Sequence, residues 1–388
     1  MKTVTGYPLI EALSRVPDFR KSRGKRHPLV AILALSVAAV LCGYDNLTAI
    51  SQWGREHGEA LLAPLGFRHF PGPCVATLHR VFRRVDVMAL EHVLTDWLNC
   101  CLPAEGGLAL DGKTLRGSRD DPQDPVQLLA AFAHTLGTAL GQQPIRGKNE
   151  VAAALELLQS LDLTGWIVTA DAGFTHKTVA ETIVQQGGDY VLTVKKNQPT
   201  LYADIALLFE ESAVVRDTIT STRQLNMHGN RGEERILQAS TALQDYCPWP
   251  GLQQVFRIER HFTDKQTGRT TCDIDFGITS LSAERADAQR LANLVRGHWG
   301  IENRLHWVRD VTFNEDASHV RSDHAPQTTL AHARSAGVAA LRNVAISLIR
   351  LLGCDGIAPT LRHFAAHPAK AVAVLALPPS SFRRLKMK

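Results

Sequence analysis

The sequence predicts an α/β fold, in which a sheet-containing core follows a helical N-terminal domain. Apolar residues recur with helical spacing through the first 100 residues, and short apolar strands alternate with amphipathic helices from 106 to 194. Residues 200–280 are rich in strand-forming side chains and indicate a β-rich insertion. A chain of 388 residues exceeds the size of one ordinary compact core, so we expect more than one domain.

Three helices are predicted in the N-terminal domain, which covers residues 1–100. They are Leu29–Cys42, a helix capped by Asp45 or Asn46 that runs towards Leu61, and Ala76–Leu98. The first has fourteen largely apolar residues, fewer than the roughly 18–20 that a membrane-spanning helix needs. We therefore expect a buried helix of a soluble protein and no membrane partner.

Basic residues cluster in two places in this domain. Arg80, Arg83 and Arg84 share one face of the third helix, and the segment Phe19–His27 adds five Lys and Arg residues with no acidic residue. A solvated basic face is one interpretation. The second cluster favours the other, a helix-turn-helix-like module whose arginines contact DNA phosphates. The net charge of +5 is compatible with a DNA partner.

The core elements follow one another as strand, strand, strand, helix, strand, helix and strand. The predicted strands are 108–110, 126–134, 138–145, 166–169 and 190–194, and the helices are 150–161 and 175–186. This is the order of the ribonuclease-H-like fold, a mixed sheet with helices on its faces. We assign residues 105–350 to this domain, with the insertion at about 200–280. The insertion contains strands 254–261 and 272–278, and a helix is predicted over 284–308. Residues 351–388 are predicted to form a mobile basic C-terminal tail.

Two aspartates are predicted to end neighbouring strands of this core. Asp111 follows the strand 108–110, and Asp171 follows the strand 166–169. Each alone suits a turn, and Asp111-Gly112 is a common turn dipeptide. In the ribonuclease-H-like order the two strands are neighbours, so their carboxylates can converge. Phosphodiester cleavage and transfer can use two divalent ions held by such carboxylates, and Mg²⁺ prefers oxygen ligands.

A third carboxylate, Glu302, is predicted on a helix beside those strands. Val295, His298, Glu302 and Arg309 are spaced by three, four and seven residues, as on one helical stripe. Apolar neighbours predict that this stripe faces the core, where a metal would offset the cost of an unpaired carboxylate. A salt bridge between Glu302 and Arg309 is the competing structural explanation.

With these residues identified, the chain resembles insertion-sequence transposases of the DDE group, in their H-repeat-associated branch. The motifs that carry the resemblance are Leu110–Ser118, Thr169–Ala172 and Ile301–Asp316, with further similarity at Tyr190–Pro199 and His228–Arg231. The resemblance implies a transposase that uses Mg²⁺, or Mn²⁺ as a substitute, to cleave and join DNA at the element ends. Asp111, Asp171 and Glu302 would be catalytic and would hold the metal ions.

The resemblance also implies DNA contacts near the carboxylates. His298 and Arg309 occupy positions where the broader group has Arg and Lys, and Lys195 and Lys196 follow a strand at the same sheet edge. A surface loop is the alternative for Lys195 to Gln198, and His298 matches the charge of arginine only when it is protonated.

Two rivals to a transposase stay open at this point. One is a nuclease without strand transfer, and the other is a domesticated or inactive DNA-binding remnant. The seven isolated cysteines suit a bacterial cytoplasm. The sequence leaves open whether the protein forms a homo-oligomer on DNA.

Overall fold

A computed structural model describes residues 6–23, 25–101, 106–115, 125–147, 149–210, 218–229, 231–315, 328–354 and 356–384. The chain has an α/β fold with a large mixed sheet, and it divides into two compact units. The first unit contains Met1–Pro103, Gly112–Lys148 and Ile301–Lys388, and the second contains Ala104–Asp111 and Asn149–Gly300. Parts of the motifs named above lie outside the described residues, namely 116–118, 230 and 316, as do the tail residues 385–388.

The α-helices, in chain order, are as follows. They are α1 Leu9–Leu13, α2 Leu29–Leu41, α3 Leu47–Glu56, α4 Gly58–Leu62, α5 Val75–Phe82, α6 Val87–Cys101, α7 Glu150–Gln159, α8 Lys177–Gln185, α9 Pro199–Glu210, α10 Ala288–His298, α11 Thr328–Leu351, α12 Ile357–Ala366 and α13 Pro368–Leu375. Two π-helical turns, Glu302–His306 and Val308–Thr312, follow α10. The strands are β1 Gly106–Thr114, β2 Gln127–Ala133, β3 Thr138–Ile145, β4 Trp166–Ala170, β5 Asp189–Val194, β6 Ile219–His228, β7 Arg231–Ser240, β8 Gln254–Asp264 and β9 Thr270–Thr279.

Helix α2 confirms the prediction of a buried apolar helix. Every residue in it except Val30 is buried, because it is apolar on all sides and other helices of the first unit pack around it. It begins after Pro28, and Gly43 just beyond its end has a positive φ of 85°. Among the described residues, no helix combines the length and the apolarity that crossing a bilayer requires.

The other two predicted N-terminal helices are each divided. Asn46 caps α3 as predicted, since its side chain accepts a hydrogen bond from the Ala49 amide at 2.9 Å. The predicted helix 76–98 is wrong as one element and consists of α5 and α6. Asp86 interrupts it, because its carboxylate accepts the Ala89 amide hydrogen bond at 3.0 Å and so starts a new helix.

The sheet of the second unit has the strand order β1-β4-β5-β9-β8-β7-β6. Strands β1, β4 and β5 are parallel, and β9 pairs antiparallel with β5. The predicted β-rich insertion therefore extends the same sheet, through three successive antiparallel pairs from β9 to β6. Helix α10 packs against β4, β5, β6 and β7 of this unit.

In the first unit β2 and β3 form an antiparallel hairpin, and residues 112–114 at the end of β1 also belong to this unit. The predicted tail is wrong for most of its length, because α12, α13 and the 3-10 segment Pro379–Arg384 fold residues 357–384. Apolar side chains anchor them, with Phe364 and Phe382 buried. The domain boundaries predicted near residues 100 and 350 stay predictions.

Candidate functional site

Asp111 and Asp171 lie at equivalent positions on two adjacent parallel strands. The register of β1 and β4 pairs Leu110 with Ala170, and each aspartate is the next residue. Strand β4 ends at Ala170, one residue beyond its predicted limit, and β1 does not end at Asp111 as predicted. It continues to Thr114, although its pairing with β4 stops at Leu110. Because β1 and β4 are parallel and the aspartates hold equivalent register positions, the two aspartates are neighbours at the point where the β1–β4 pairing stops.

Hydrogen bonds fix the loop that carries Asp171. The Asp171 side chain is exposed and accepts the Gly173 amide hydrogen bond at 3.1 Å. Asn197 donates to the carbonyl oxygen of Ala172 at 2.7 Å, and Gln198 donates to that of Thr175 at 2.9 Å. The polar residues after β5 therefore hold the loop after β4.

Lys195 and Lys196 occupy that same segment after β5. Both are exposed, so they are free to meet a ligand, and their contact with DNA stays a prediction.

His298 lies close to the aspartate edge of the second unit. Its Nδ1 atom is 3.2 Å from the Thr169 hydroxyl, two residues before Asp171. Burial lowers the pKa of His298 below its ordinary value of 6.5, and the charge of Asp171 and a hydrogen bond with Thr169 only partly oppose this. The imidazole is therefore mainly neutral at pH 7, which weakens the predicted phosphate contact.

Glu302 belongs to the first unit and does not face the core. Its side chain is 60% exposed, so the prediction of a buried stripe is wrong. The reason is that Glu302 begins a π-helical turn, whose i→i+5 hydrogen bonds put more residues in each turn than an α-helix has. The helical stripe drawn through His298 and Arg309 is therefore not maintained.

His306 is the hydrogen-bond partner of Glu302. Its Nδ1 atom lies 3.1 Å from a Glu302 carboxylate oxygen, and its side chain is only 4% exposed. Burial lowers the pKa of His306 to about 3, with smaller contributions from Arg309 and Lys113. The imidazole is thus neutral at pH 7, and the contact is a hydrogen bond that leaves the negative charge of Glu302 uncompensated.

Arg309 is part of a buried ion cluster. Its guanidinium donates to both oxygens of Glu315, at 2.8 and 3.0 Å, and Arg342 donates to the same carboxylate at 2.8 Å. Arg309 has no exposed surface, so its predicted contact with DNA phosphate is wrong for this structure. The competing explanation, a salt bridge between Arg309 and Glu302, does not hold either, because Arg309 pairs with Glu315.

Lys113 and Asp310 form an ion pair that was not predicted from the sequence. The Lys113 ammonium lies 2.6 Å from each Asp310 oxygen, and its side chain is 8% exposed. Both residues fall inside the motifs quoted above, but 197 positions separate them. Only the folded chain pairs them.

The predicted DNA-contacting arginines of the N-terminal region differ in accessibility. Arg80 and Arg84 are exposed, whereas Arg83 is half-buried at the end of α5. Among the residues that the structure describes, Arg80 bonds to two groups of its own helix, at Ala76 and Thr77. Their role in DNA binding stays a prediction.

The chain matches two protein families. Residues 103–333 match the family described as "Transposase DDE domain", and residues 10–98 match the one described as "DDE_Tnp_1-associated". A protein of Escherichia coli O157:H7, "Putative transposase YncI", is 32% identical over 357 residues, which cover 88% of this chain and 87% of that protein. The "H repeat-associated putative transposase YhhI" of Escherichia coli strain K12 is 30% identical over 335 residues, covering 82% and 86%.

Proposed function

Because the chain belongs to the DDE transposase family, in its H-repeat-associated branch, we propose that it cleaves DNA at the ends of an insertion sequence and joins them to target DNA. The observation that carries this proposal is the parallel register of β1 and β4. It gives Asp111 and Asp171 equivalent positions just beyond the last paired residues of adjacent strands. The order of β1 to β5 in the sheet also supports a ribonuclease-H-like core.

Glu302 is the proposed third carboxylate. It lies in the motif Ile301–Asp316, which carries the resemblance to DDE transposases. The Glu302 side chain is largely exposed and makes no ion pair with Lys or Arg in the described part of the chain. An accessible carboxylate with uncompensated charge suits a metal ligand.

These donors fit a hard divalent cation. All three proposed ligands are carboxylates, and Mg²⁺ takes oxygen ligands while it keeps several waters. When bound, Mg²⁺ would supply a more acidic attacking water and stabilisation of the leaving oxygen. Asp111, Asp171 and Glu302 would hold it, with Mn²⁺ as a substitute. The hydrogen bonds from Asn197 and Gln198 would keep the Asp171 loop in place.

The proposed reaction consists of two displacements at phosphorus. In the first, water attacks the scissile phosphodiester, and the bond to the 3′ oxygen breaks to leave a 3′-hydroxyl. In the second, that hydroxyl attacks a target phosphodiester, forms the new 3′–5′ linkage and releases the target's own 3′-hydroxyl. The helical N-terminal region would select the element ends. All seven cysteines are free thiols, which supports action in the bacterial cytoplasm.

The test measures binding and cleavage on one element-end duplex. Asp111→Asn, Asp171→Asn and Glu302→Gln each remove one negative charge and nearly preserve shape, so cleavage should fall by several orders of magnitude while binding persists. Glu181→Gln, on the exposed side of α8, is the matched control and should cleave normally. Cleavage near the wild-type rate in any of the three variants would remove that residue from the proposed site. A pre-cleaved duplex that is bound but never joined would indicate a nuclease.

A further inference from the structure

A cavity in the first unit is surrounded by positive charge. It has a volume of about 640 Å³ and lies between the segment Phe19–His27, the end of α3 and helix α5. Seven basic side chains line it: Arg20, Lys21, Arg23, Arg26, Arg55, Arg80 and Arg84. No acidic side chain is among the lining residues that the structure describes.

Most of this charge has no protein counter-ion. Asp18 pairs with Arg20 at 2.9 Å and with Lys25 at 3.2 Å. Within the described residues, Lys21, Arg23 and Arg55 make no ion pair, and their side chains are exposed. Like charges around one concave surface repel each other more strongly than on a convex surface, because the low-dielectric walls focus the field. A bound anion would relieve that repulsion.

Hydrogen bonds to neutral carbonyl oxygens also hold the cavity in shape, and they leave its positive charges unneutralised. Arg20 donates to the carbonyl oxygen of His27 at 3.0 Å. Arg26 donates to the carbonyl oxygen of Phe70 at 3.2 Å. The ring of His27 is buried against Phe67, with ring centroids 5.3 Å apart. Several cations are therefore presented from a fixed scaffold, which lowers the cost of ordering them on binding.

The size of the cavity indicates what kind of anion it takes. About 640 Å³ falls within the range of roughly 300–1,000 Å³ that is typical of ligand sites, far more than one inorganic ion fills. Apolar surface is available beside the charge, since Phe19 lines the cavity and stacks under Arg84 at 5.6 Å. Cations together with an aromatic ring suit a nucleic-acid strand, whose phosphates and bases need both.

We propose that this cavity binds consecutive phosphodiester groups of a DNA strand, from a duplex or from an unpaired end. The inference rests on the proposed function only for the choice of DNA as the polyanion. It separates three arginines that the sequence had grouped: Arg80 and Arg84 line the cavity, and Arg83 does not. Arg55, which the sequence had not singled out, joins them from α3.

The experiment titrates the full chain with labelled DNA at several salt concentrations, in chelator so that no cleavage occurs. The probes are an oligonucleotide, alone and as a blunt duplex. The Arg55→Gln/Arg80→Gln variant should reduce the log-log salt slope for the duplex by about 2, because each lost phosphate contact removes about 0.9. Arg55→Lys/Arg80→Lys should restore most of the slope. Arg83→Gln, from the same helix, is the matched control and should behave as wild type.

Three outcomes would overturn the inference. The first is an unchanged slope in the double Gln variant with its circular dichroism intact. The second is an equal loss in Arg83→Gln. The third is that poly-glutamate of equal charge displaces the labelled DNA as readily as unlabelled DNA does, which would identify a site for acidic peptides. Comparison of the two probes shows which form of DNA enters. Wild-type cleavage on the same duplex is scored separately, so failure here leaves the proposed function standing, and the reverse also holds.

Discussion

The buried ion cluster allows a quantitative test of whether Arg309 serves to stabilise the fold. It contains two guanidinium groups and one carboxylate: Arg309 is 0% exposed, and Glu315 and Arg342 are each 3% exposed. We consider two changes, Glu315→Gln and Arg309→Met. Glu315→Gln leaves two buried like charges without a counter-ion, whereas Arg309→Met leaves one neutral pair, between Glu315 and Arg342.

The two changes should therefore differ in cost. Removing one partner of a buried ion pair typically costs about 3–5 kcal/mol, and here it strands two charges, so Glu315→Gln should lie at or above that range. Arg309→Met removes two hydrogen bonds from Glu315 but leaves the donor from Arg342, so we expect about 1–3 kcal/mol. Neither change removes an accessible cation, so the salt dependence of DNA binding should stay at the wild-type value.

The assay is urea unfolding monitored by circular dichroism. The dependence of DNA binding on salt concentration is measured on the same proteins. Equal destabilisation by the two variants, or the reverse order, would show that the cluster does not act as two cations sharing one anion. A reduced salt slope in Arg309→Met, at conditions where the variant is folded, would restore Arg309 as a DNA contact. Arg362→Met, an exposed arginine of α12, is the control and should change stability little.

Three further outcomes are expected. Burial would raise the pKa of Glu315, but Arg309 and Arg342 outweigh this and lower its pKa below 4.5. The ionised Glu315 therefore stabilises the folded protein at neutral pH, and this stabilisation is lost as the pH falls through the lowered pKa. The stability of Glu315→Gln should then depend less steeply on acid pH than that of the wild type. Burial raises the pKa of Glu91 to about 8, so the free energy of unfolding should decline as the pH rises from 4.5 towards 8. In urea titrations, Glu91→Gln should be more stable than the wild type by a few kcal/mol at pH 8 but not at pH 5. Mg²⁺ or Mn²⁺ should support cleavage while Ca²⁺ supports binding alone, and activity that survives excess chelator would contradict the metal proposal.

The parts of the fold that the sequence could predict depend on local periodicity. The strands β2, β3, β4 and β5 lie within one or two residues of their predicted limits, because alternating or continuous apolar runs bounded by glycine and polar residues define them. The adjacency of β1 and β4 followed from recognising a familiar strand order. The extension of β1 past Asp111 did not follow, because residues 112–114 carry no apolar pattern.

Glu302 marks the limit of periodicity as a guide to burial. The helical pattern that starts in α10 predicts that the Glu302 side chain is buried, on the assumption of 3.6 residues per turn. That assumption fails once the π-helical turns begin. Nothing in the local sequence separates a π-turn from an α-turn. The same limit explains Arg309, whose partner Arg342 across the shared carboxylate is 33 positions away and could not be inferred from a helical stripe.

Charge compensation separates structural residues from ligand-binding ones better than sequence position does. Arg309 and Lys113 are buried and paired with carboxylates, so they complete the fold of the first unit and have little left to offer a ligand. Glu302 and Arg55 are accessible and have no oppositely charged partner among the described residues. Water solvates such exposed charges in the free protein, so they stay available to a ligand of opposite charge. For Glu302 the proposed ligand is a divalent cation, and for Arg55 the proposed ligand is a DNA phosphate.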